Sequence, residues 1–469
     1  MIGPLSCHPA WVEEYKKCFG IYPTVNIFAG GDIDDQFKAI ESNVKRQIIY
    51  KDYKYKTLNL STFATVTNDI EYLEKYIKKT NPFLVVDEAH YIKRQDGDWA
   101  SSILRLAKHA KYKTILTGTP MPQSFSDLFN LFDFLLLDNS PLNEKMKNQI
   151  SKLEEKSKFS EIQSILEDNI SPYFYRVRKS ELNLPEQVNH IVPVKMNPIE
   201  KQVHDFMTSA ILKMSKNDYL ENIETRQRLQ KGRAMRLRQV YSNVSLLKTT
   251  LEDIDYDESL YSDIDHIIET YENTEKPAKL NALTSMVKNR IKKNEKLVVW
   301  SNFINNLKFL EIELKAIGIS CQKIIGETPT KTNKKFSNSV MLRSDIVRDF
   351  NEEDGIVQVI LANPAACAES ISLHKYCNNA IYYDLSYNTA QYLQSLDRIH
   401  RVGASKKVAS NYFILNYEET LENEIRERVL MKADKMNMIM NGDYAIYDLD
   451  MNGGYDDIEL YRQLTKDND

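Results

Sequence analysis

The chain has 469 residues, with 62 Lys plus Arg against 66 Asp plus Glu, and a formal net charge of -4. At roughly 150 residues per domain this length predicts two or three domains, and the charge balance argues against a globally basic, nucleic-acid-coating protein. Its 5 cysteines show no C-x-x-C or other metal-ligand spacing, which argues against a disulfide scaffold and a zinc site. Without a signal-like start or an apolar run near the roughly 20 residues of a membrane helix, we expect an intracellular protein with no membrane contact.

Short apolar runs that end in small or acidic residues recur along the chain, separated by charged segments with helical spacing. This alternation is typical of buried parallel strands with crossover helices and predicts an α/β fold. The runs are FLVVDEAH, YKTILTGTP, KLVVWSNF, VQVILANPA and NAIYYDLS. They form two groups, which predict two lobes, at residues 1–185 and 278–435.

Between the two groups the composition changes sharply. Residues 226–239 carry six basic residues and no acid, whereas residues 252–275 carry ten acids and no Lys or Arg. We interpret residues 186–277 as a bridging strand, a helical insertion and an acidic linker, and residues 436–469 as an acidic tail. The basic stretch could follow a nucleic-acid backbone, or it could be a solvated helix paired with the acidic linker.

The run FLVVDEAH delivers Asp87 and Glu88 to the carboxyl end of a predicted strand. Open α/β sheets bind ligands at that edge. Two carboxylates there suit ATP hydrolysis, with Asp87 as the Mg²⁺ ligand and Glu88 positioning and deprotonating the attacking water. The alternative is an acidic strand end that caps the next helix.

Taken in chain order, further segments resemble the Swi/Snf-type ATPases of helicase superfamily two. They are IGPLSCHPAWVEEY, STFAT, VVDEAH, LTGTPMPQSFSDLFNLFDFL, YFYRVRKSELNLPEQ, HIVPVKM, LRQVYSN, KLVVWSNFINNLKFLEIEL, RSDIVRDFN, ANPAACAESISLHKYCNNAIYYDLS and QYLQSLDRIHRVG. The resemblance implies two RecA-like lobes, a DEAH box, ATP and Mg²⁺ as cofactors, and translocation on double-stranded DNA without strand separation. Ala366, Glu369 and Ala404 depart from the commoner family pattern and favour prokaryotic or viral relatives.

The last of these segments carries the most specific pattern, Q-x-x-x-R-x-x-R, at Gln394, Arg398 and Arg401. Spacing of three residues places both guanidinium groups on one face of a helix, and Arg suits phosphate oxygens because its donors form a planar fork. The resemblance implies that both arginines act as arginine fingers, with Gln394 and His90 near the nucleotide.

Nucleic-acid contacts are predicted at the ends of other strands. The hydroxyls and the small residue of the T-G-T turn suit coupling of the lobes, although an ordinary strand-end turn has the same composition. Polar groups after later strands could touch phosphates or could cap helices. The residues are Thr117, Gly118, Thr119, Ser301, Asn302, Ser370 and Ser372. His90 and His400 have no metal partner at ligand spacing, so we assign them to coupling or hydrogen bonding.

A phosphate-binding loop is missing from this pattern. None of the 14 glycines is followed by Lys, so the printed sequence contains no G-K-[ST]. We expect an incomplete first lobe, with the phosphate-binding strand, loop and helix supplied by a second polypeptide or lost from a truncated gene product. Hydrolysis by this chain alone should then be very weak.

Two other functions are compatible with the same residues. A catalytically silent nucleic-acid-binding or assembly module could have kept the lobes after losing the phosphate-binding loop. A metal-dependent nuclease could use Asp87, Glu88 and His90, although no further carboxylate or His cluster joins them in the sequence. If the source is prokaryotic we expect a cytoplasmic protein, and if it is viral, a protein of the host cell.

Overall fold

The structure is a computed structural model that describes residues 1–28, 57–94, 97–118, 125–156, 158–173, 175, 177, 179–215, 223–253, 258–329, 341–367, 371–404 and 408–441. Within these ranges the chain forms two compact units, Met1–Arg176 and Val177–Asn441. None of the helices in the described part of the chain is long and apolar enough to cross a bilayer.

The first unit contains two pairs of parallel strands. The strands are β1 (Thr24–Phe28), β2 (Thr57–Ser61), β3 (Phe83–Val86) and β4 (Tyr112–Ile115), paired β1 with β2 and β3 with β4. Ile2 lies between the pairs and forms parallel bridges to Ser61 and to Val86. The backbone near Ile2 therefore joins β2 to β3.

Helices cover the strands of the first unit. They are α1 (His8–Phe19), α2 (Phe63–Asn68), α3 (Ile70–Thr80), α4 (Asp98–Ala107), α5 (Asp127–Leu136), α6 (Glu144–Glu155) and α7 (Phe159–Ile170). Helix α2 begins after Thr62, whose Oγ1 accepts the backbone N–H of Thr65 at 3.2 Å, which satisfies one of the unpaired donors of the first turn. The core packs the apolar faces of α3, α4 and α5 against β3.

The second unit is built on one six-stranded sheet in the order β5-β10-β9-β6-β8-β7, in which every pair is parallel. Its strands are β5 (Gln187–Val194), β6 (Lys296–Trp300), β7 (Cys321–Ile324), β8 (Val359–Ala362), β9 (Cys377–Tyr382) and β10 (Ser410–Tyr417). β5 lies at one edge of the sheet, beside β10. The segment predicted as a bridging strand is thus part of this sheet.

The helices of the second unit include a separate group between β5 and β6. They are α8 (Pro198–Ser215), α9 (Ile223–Ser242), α10 (Glu258–Thr274), α11 (Ala278–Ile291), α12 (Ile304–Ala316), α13 (Arg343–Phe350), α14 (Pro364–Cys367), α15 (Thr389–Leu396) and α16 (Glu422–Asn441). Helices α8, α9 and α10 share a small core of their own that includes Val203, Val240 and Ile268.

The predicted α/β class with parallel sheets is confirmed. The five apolar runs form β3, β4, β6, β8 and β9. All residues of β6 and β8 are buried, because a parallel sheet is covered on both faces and its inner strands are apolar throughout.

Candidate functional site

Asp87 follows β3 directly, and both oxygens of its carboxylate accept hydrogen bonds. The indole Nε1–H of Trp11 donates to Oδ2 at 2.8 Å, and the backbone N–H of Glu88 donates to Oδ1 at 2.9 Å. The backbone N–H of Asp87 itself donates to the carbonyl of Ile2 at 2.8 Å. These contacts fix both the position and the orientation of the carboxylate at the end of the strand.

Glu88 adopts φ of 51°, a left-handed conformation that is uncommon outside glycine and concentrates at functional positions. Its Oε2 lies 3.2 Å from Nδ1 of His90. The His90 ring stacks on Tyr91 with centroids 4.6 Å apart. The Glu88 side chain is 29% exposed, so this carboxylate is accessible and lies beside the His90 ring.

Backbone hydrogen bonds of Leu116, the residue before the T-G-T turn, place the start of this turn beside the segment that carries Asp87 and Glu88. The N–H of Leu116 donates to the carbonyl of Val86 at 2.8 Å, and the N–H of Ala89 donates to the carbonyl of Leu116 at 2.9 Å. Thr117 and Gly118 follow, whereas Thr119 lies outside the described residues. A Cβ added to Gly118 would meet no described atom within 4 Å, so no close approach of backbone is seen there.

The acidic pair fits Mg²⁺ in one particular way. Mg²⁺ is commonly bound through one or two carboxylates together with phosphate oxygens and water. Among the described residues there is no group of three His, Cys, Asp or Glu that could hold a metal ion. The oxygen donors of Asp87 and Glu88 therefore fit a Mg²⁺ ion that arrives with a nucleotide and not a metal held by protein ligands alone.

In the second unit, Asp384 accepts hydrogen bonds from two segments of the chain. Ser242 Oγ at the end of α9 and Ser301 Oγ after β6 donate to Oδ2 at 2.8 Å and 2.5 Å. The backbone N–H and the Nδ2 of Asn302 donate to Oδ1 at 2.7 Å and 2.9 Å. Ser301 is 0% exposed, so its hydroxyl is not available to a phosphate in this structure. Asp384 instead ties the helical insertion to the end of β6.

We expect Asp384→Asn to destabilise the second unit by about 1–3 kcal/mol, because an amide cannot accept all of these buried donors. The free energy of unfolding, measured by urea denaturation, checks this. The matched control is Asp345→Asn, since Asp345 pairs with Arg348 at 3.0 Å on a helix surface. Equal effects of the two substitutions would mean that the buried network adds nothing to stability.

The two arginines of the Q-x-x-x-R-x-x-R pattern have different surroundings. Arg398 is 8% exposed, and it donates from Nε to the carbonyl of Gln394 at 2.9 Å and from Nη1 to the carbonyl of Ile371 at 3.2 Å. Arg401 is exposed and donates from Nη1 to Ser372 Oγ at 2.5 Å. Arg398 therefore holds the backbone at Ile371, whereas Arg401 presents its guanidinium to solvent.

The residues on either side of Arg401, His400 and Gly403, both make close contacts with other segments. Gly403 has φ of 101°, and a Cβ there would lie 3.1 Å from His374 Nε2, so only glycine fits without strain. His400 is buried, and its Nε2 lies 2.8 Å from the carbonyl of Pro185. This contact agrees with the hydrogen-bonding role predicted for His400. Ser370 lies outside the described residues.

The basic stretch of α9 does not form one continuous exposed surface in the described residues. Arg236 and Arg238 are buried, at 4% and 7% exposure, and the guanidinium of Arg238 lies 6.0 Å from the ring centroid of Phe303. Lys231 is exposed, and the side chains of Arg226 and Arg228 lie outside the described residues. The carboxyl-terminal part of the stretch thus packs inside the second unit.

Two protein-family models match the chain. The SNF2-related domain matches residues 1–246, which make up more than half of this chain. The chain belongs to the SNF2-related family. The helicase conserved C-terminal domain matches residues 278–403 of this SNF2-family chain. The predicted resemblance to Swi/Snf-type ATPases is confirmed at the level of the family.

Two curated relatives and one solved structure illustrate the similarity. The SNF2-family chain is 24% identical to the Caenorhabditis elegans "SWI/SNF-related matrix-associated actin-dependent regulator of chromatin subfamily A containing DEAD/H box 1 homolog", covering 87% of this chain and 43% of the relative. It is 23% identical to the Arabidopsis thaliana "ATP-dependent DNA helicase DDM1", covering 94% and 55%. The "Sulfolobus solfataricus SWI2/SNF2 ATPase core in complex with dsDNA" shows 21% identity, coverage of 94% and 82%, and a TM-score of 0.38, which decides nothing by itself. The chain thus spans about half the length of these curated relatives.

The sequence analysis did not identify two residues of this SNF2-family chain that contribute to these sites, Trp11 and Asp384. Trp11 lies 76 positions from Asp87, and a lone Trp on an amphipathic helix gives no sign of its partner. Asp384 stands at the end of an apolar run, as Asp87 does, and that position is the only signal that could have found it.

Proposed function

We propose that this SNF2-family chain is the body of a DNA-dependent ATPase that translocates on double-stranded DNA. The observation that carries the proposal is the Asp87–Glu88 pair at the carboxyl end of β3, with Asp87 bonded to Trp11 and Glu88 beside His90. Two carboxylates fixed at that edge of a parallel sheet suit hydrolysis of a bound nucleotide. The names of the two curated relatives, a chromatin regulator and a DNA helicase, support DNA as the partner.

Each residue has a distinct role in this proposal. Asp87 would hold Mg²⁺, which when bound with ATP neutralises charge on the phosphates. Glu88 positions the attacking water and takes its proton, and the His90 ring lies beside its carboxylate. Arg401 offers a planar set of donors to phosphate oxygens. Arg398 keeps Ile371, and with it the adjacent Ser372 that accepts from Arg401, in place.

Retention of the nucleotide is a separate requirement. No glycine in the printed sequence is followed by Lys, and backbone donors of a Gly-rich loop are the usual cradle for phosphates. We therefore propose that a phosphate-binding segment outside these residues, in the same polypeptide or in another, is needed for turnover. The printed chain alone should hydrolyse ATP very slowly.

A catalytically silent DNA-binding or assembly module is the second candidate, and the missing G-K-[ST] favours it. The described residues give less support to a nuclease, because no third ligand joins Asp87 and Glu88 in a metal-binding group.

ATP hydrolysis by the purified chain, with and without duplex DNA, tests the proposal. The assay is repeated with the chain extended at its amino terminus by the phosphate-binding strand, loop and helix of an SNF2-family relative. We expect negligible turnover from the chain alone and DNA-stimulated turnover from the extended chain. Glu88→Gln should lower that turnover about 10²- to 10⁴-fold, because it removes the general base.

The matched control is Glu144→Gln, since the Glu144 side chain is 84% exposed and lies on α6. Turnover by the unextended chain that Glu88→Gln abolishes would show that the phosphate-binding segment is not needed. Intact DNA binding without turnover in either form would replace the ATPase by the silent module.

A further inference from the structure

A single indole N–H reaches the carboxylate assigned to Mg²⁺. Trp11 lies on α1, and its Nε1–H donates to Asp87 Oδ2 at 2.8 Å. The other oxygen of Asp87 accepts a backbone N–H from Glu88. Trp11 thus reaches Asp87 from 76 positions away in the sequence, and the Cys7 side chain contacts the same carboxylate.

The surrounding backbone sets the distance between α1 and Asp87. A Cβ added to Gly3 would lie 3.2 Å from Asp87 Cβ and 3.1 Å from Cys7 Sγ, so glycine lets the chain pass close to the carboxylate. Cys7 is the N-cap of α1 and is buried, with Sγ donating to the carbonyl of Pro4 at 2.9 Å. Trp11 stands four positions after Cys7, on the same face of α1.

Two backbone bonds lock this segment into the sheet. The N–H of Ile2 donates to the carbonyl of Val85 at 2.8 Å, and the N–H of Gly3 donates to the carbonyl of Ser61 at 3.0 Å. Ile2 and Gly3, which precede α1, are therefore anchored to β3 and β2.

We propose that Trp11 is a positioning residue for the metal site, which holds the Asp87 carboxylate in the direction required to bind a divalent cation. This inference rests on the proposed function of Asp87 as the Mg²⁺ ligand. Groups that bond to a metal ligand orient it, and their loss commonly lowers metal affinity about 10- to 100-fold. A Trp that only needed a partner for its own N–H would affect stability but not metal affinity.

Because the ion is expected to arrive with a nucleotide, the test uses the chain extended by a phosphate-binding segment that contains no Trp, with ¹⁵N-labelled tryptophan, a saturating ATP analogue that is not hydrolysed, and MnCl₂ as the probe. The chain has three Trp residues, Trp11, Trp99 and Trp300, so its spectrum contains three indole N–H resonances. Paramagnetic Mn²⁺ bound at Asp87 should broaden the Trp11 resonance before the other two. Asp87→Asn should remove this selective broadening. It should also shift the Trp11 resonance in the absence of metal, because the acceptor of the hydrogen bond has changed.

Mn²⁺ affinity, measured by electron paramagnetic resonance of the free ion, then distinguishes a positioning role of Trp11 from a purely structural one. Trp11→Phe, which removes the N–H and keeps an aromatic ring, should weaken Mn²⁺ binding about tenfold or more. Trp99→Phe is the matched control, since Trp99 is 38% exposed and stacks on Phe63, and it should leave the affinity unchanged.

The failures are distinguishable. If Asp87→Asn removes the Mn²⁺ site but Trp11→Phe leaves the affinity within twofold, Trp11 has no positioning role and the metal assignment survives. If Asp87→Asn changes neither broadening nor affinity, Asp87 is not a metal ligand and both proposals fail. Should Trp11→Phe not fold, an unmoved Trp11 resonance in Asp87→Asn overturns the inference by itself.

Discussion

Replacing Arg401 with alanine is expected to lower DNA-stimulated ATP turnover about 10³- to 10⁵-fold, the range associated with loss of an arginine finger. Turnover is measured in the extended chain that carries a phosphate-binding segment. The melting temperature should not change, because Arg401 is exposed and, among the residues that the structure describes, its guanidinium bonds only to Ser372 Oγ. Arg401→Lys should restore little activity, since an ammonium group cannot reproduce the planar pair of donors.

Arg398→Ala is expected to behave differently although it belongs to the same motif. Its guanidinium bonds to the carbonyls of Gln394 and Ile371 inside the second unit, so its removal leaves buried acceptors unpaired and should cost about 1–3 kcal/mol of stability. Activity and melting temperature should therefore fall together.

The control for both substitutions is Arg348→Ala, because the Arg348 side chain is 71% exposed on α13. It should change neither turnover nor stability. If Arg401→Ala lowered the melting temperature as much as Arg398→Ala, the two arginines would share a structural role. The assignment of Arg401 as the group that contacts phosphate would then be wrong.

Replacing Lys279 with methionine is expected to destabilise the second unit by about 3–5 kcal/mol, because it leaves a buried carboxylate without its partner. Lys279 is 0% exposed, and its Nζ donates to Glu422 Oε1 at 2.5 Å and to the carbonyl of Tyr383 at 3.1 Å. It also lies 4.7 Å from the ring centroid of Tyr417. Burial raises the pKa of Glu422, and the charge of Lys279 opposes that rise.

The double variant Lys279→Met/Glu422→Gln should recover much of the loss. Glutamine can still accept the backbone N–H of Tyr417, which donates to Glu422 Oε2 at 2.7 Å, and no unpaired charge remains. Unfolding of the second unit is followed by the fluorescence of Trp300, which is 0% exposed, after Trp11 and Trp99 have been replaced with Phe.

An exposed ion pair provides the comparison for Lys279. Lys17 lies 2.5 Å from Glu14, with the side chains 66% and 59% exposed, so Lys17→Met should cost less than about 1 kcal/mol. If Lys279→Met cost no more than Lys17→Met, or if the double variant were no more stable than the single one, the buried pair would not stabilise the sheet.

The structural positions of residues that belong to a strong local sequence pattern were predictable. The runs that form β6 and β8 are apolar throughout because both faces of the parallel sheet are covered. Asp87 was predictable for a related reason, since the end of such a strand is where a carboxylate can meet a ligand. The family was predictable because its motifs occur in order along one chain.

Partners far apart in the sequence were not predictable. Ser301 was proposed as a phosphate contact, yet its hydroxyl donates to Asp384, 83 positions away. Arg236 and Arg238 read as exposed basic residues, but both are buried. A hydroxyl or a guanidinium has the same chemistry on a surface and in a core, and only its neighbours decide which donors are already paired.

The sequence by itself determined the α/β class, the order of the motifs, and the placement of Asp87 and Glu88 at a strand end, because strand burial and motif spacing are local properties. The tertiary structure alone decided that Trp11 bonds to Asp87, and that Arg398 is buried whereas Arg401 is exposed. The physical reason is that hydrogen bonding and burial depend on which segments meet in space, and the spacing of residues along the chain does not specify those meetings.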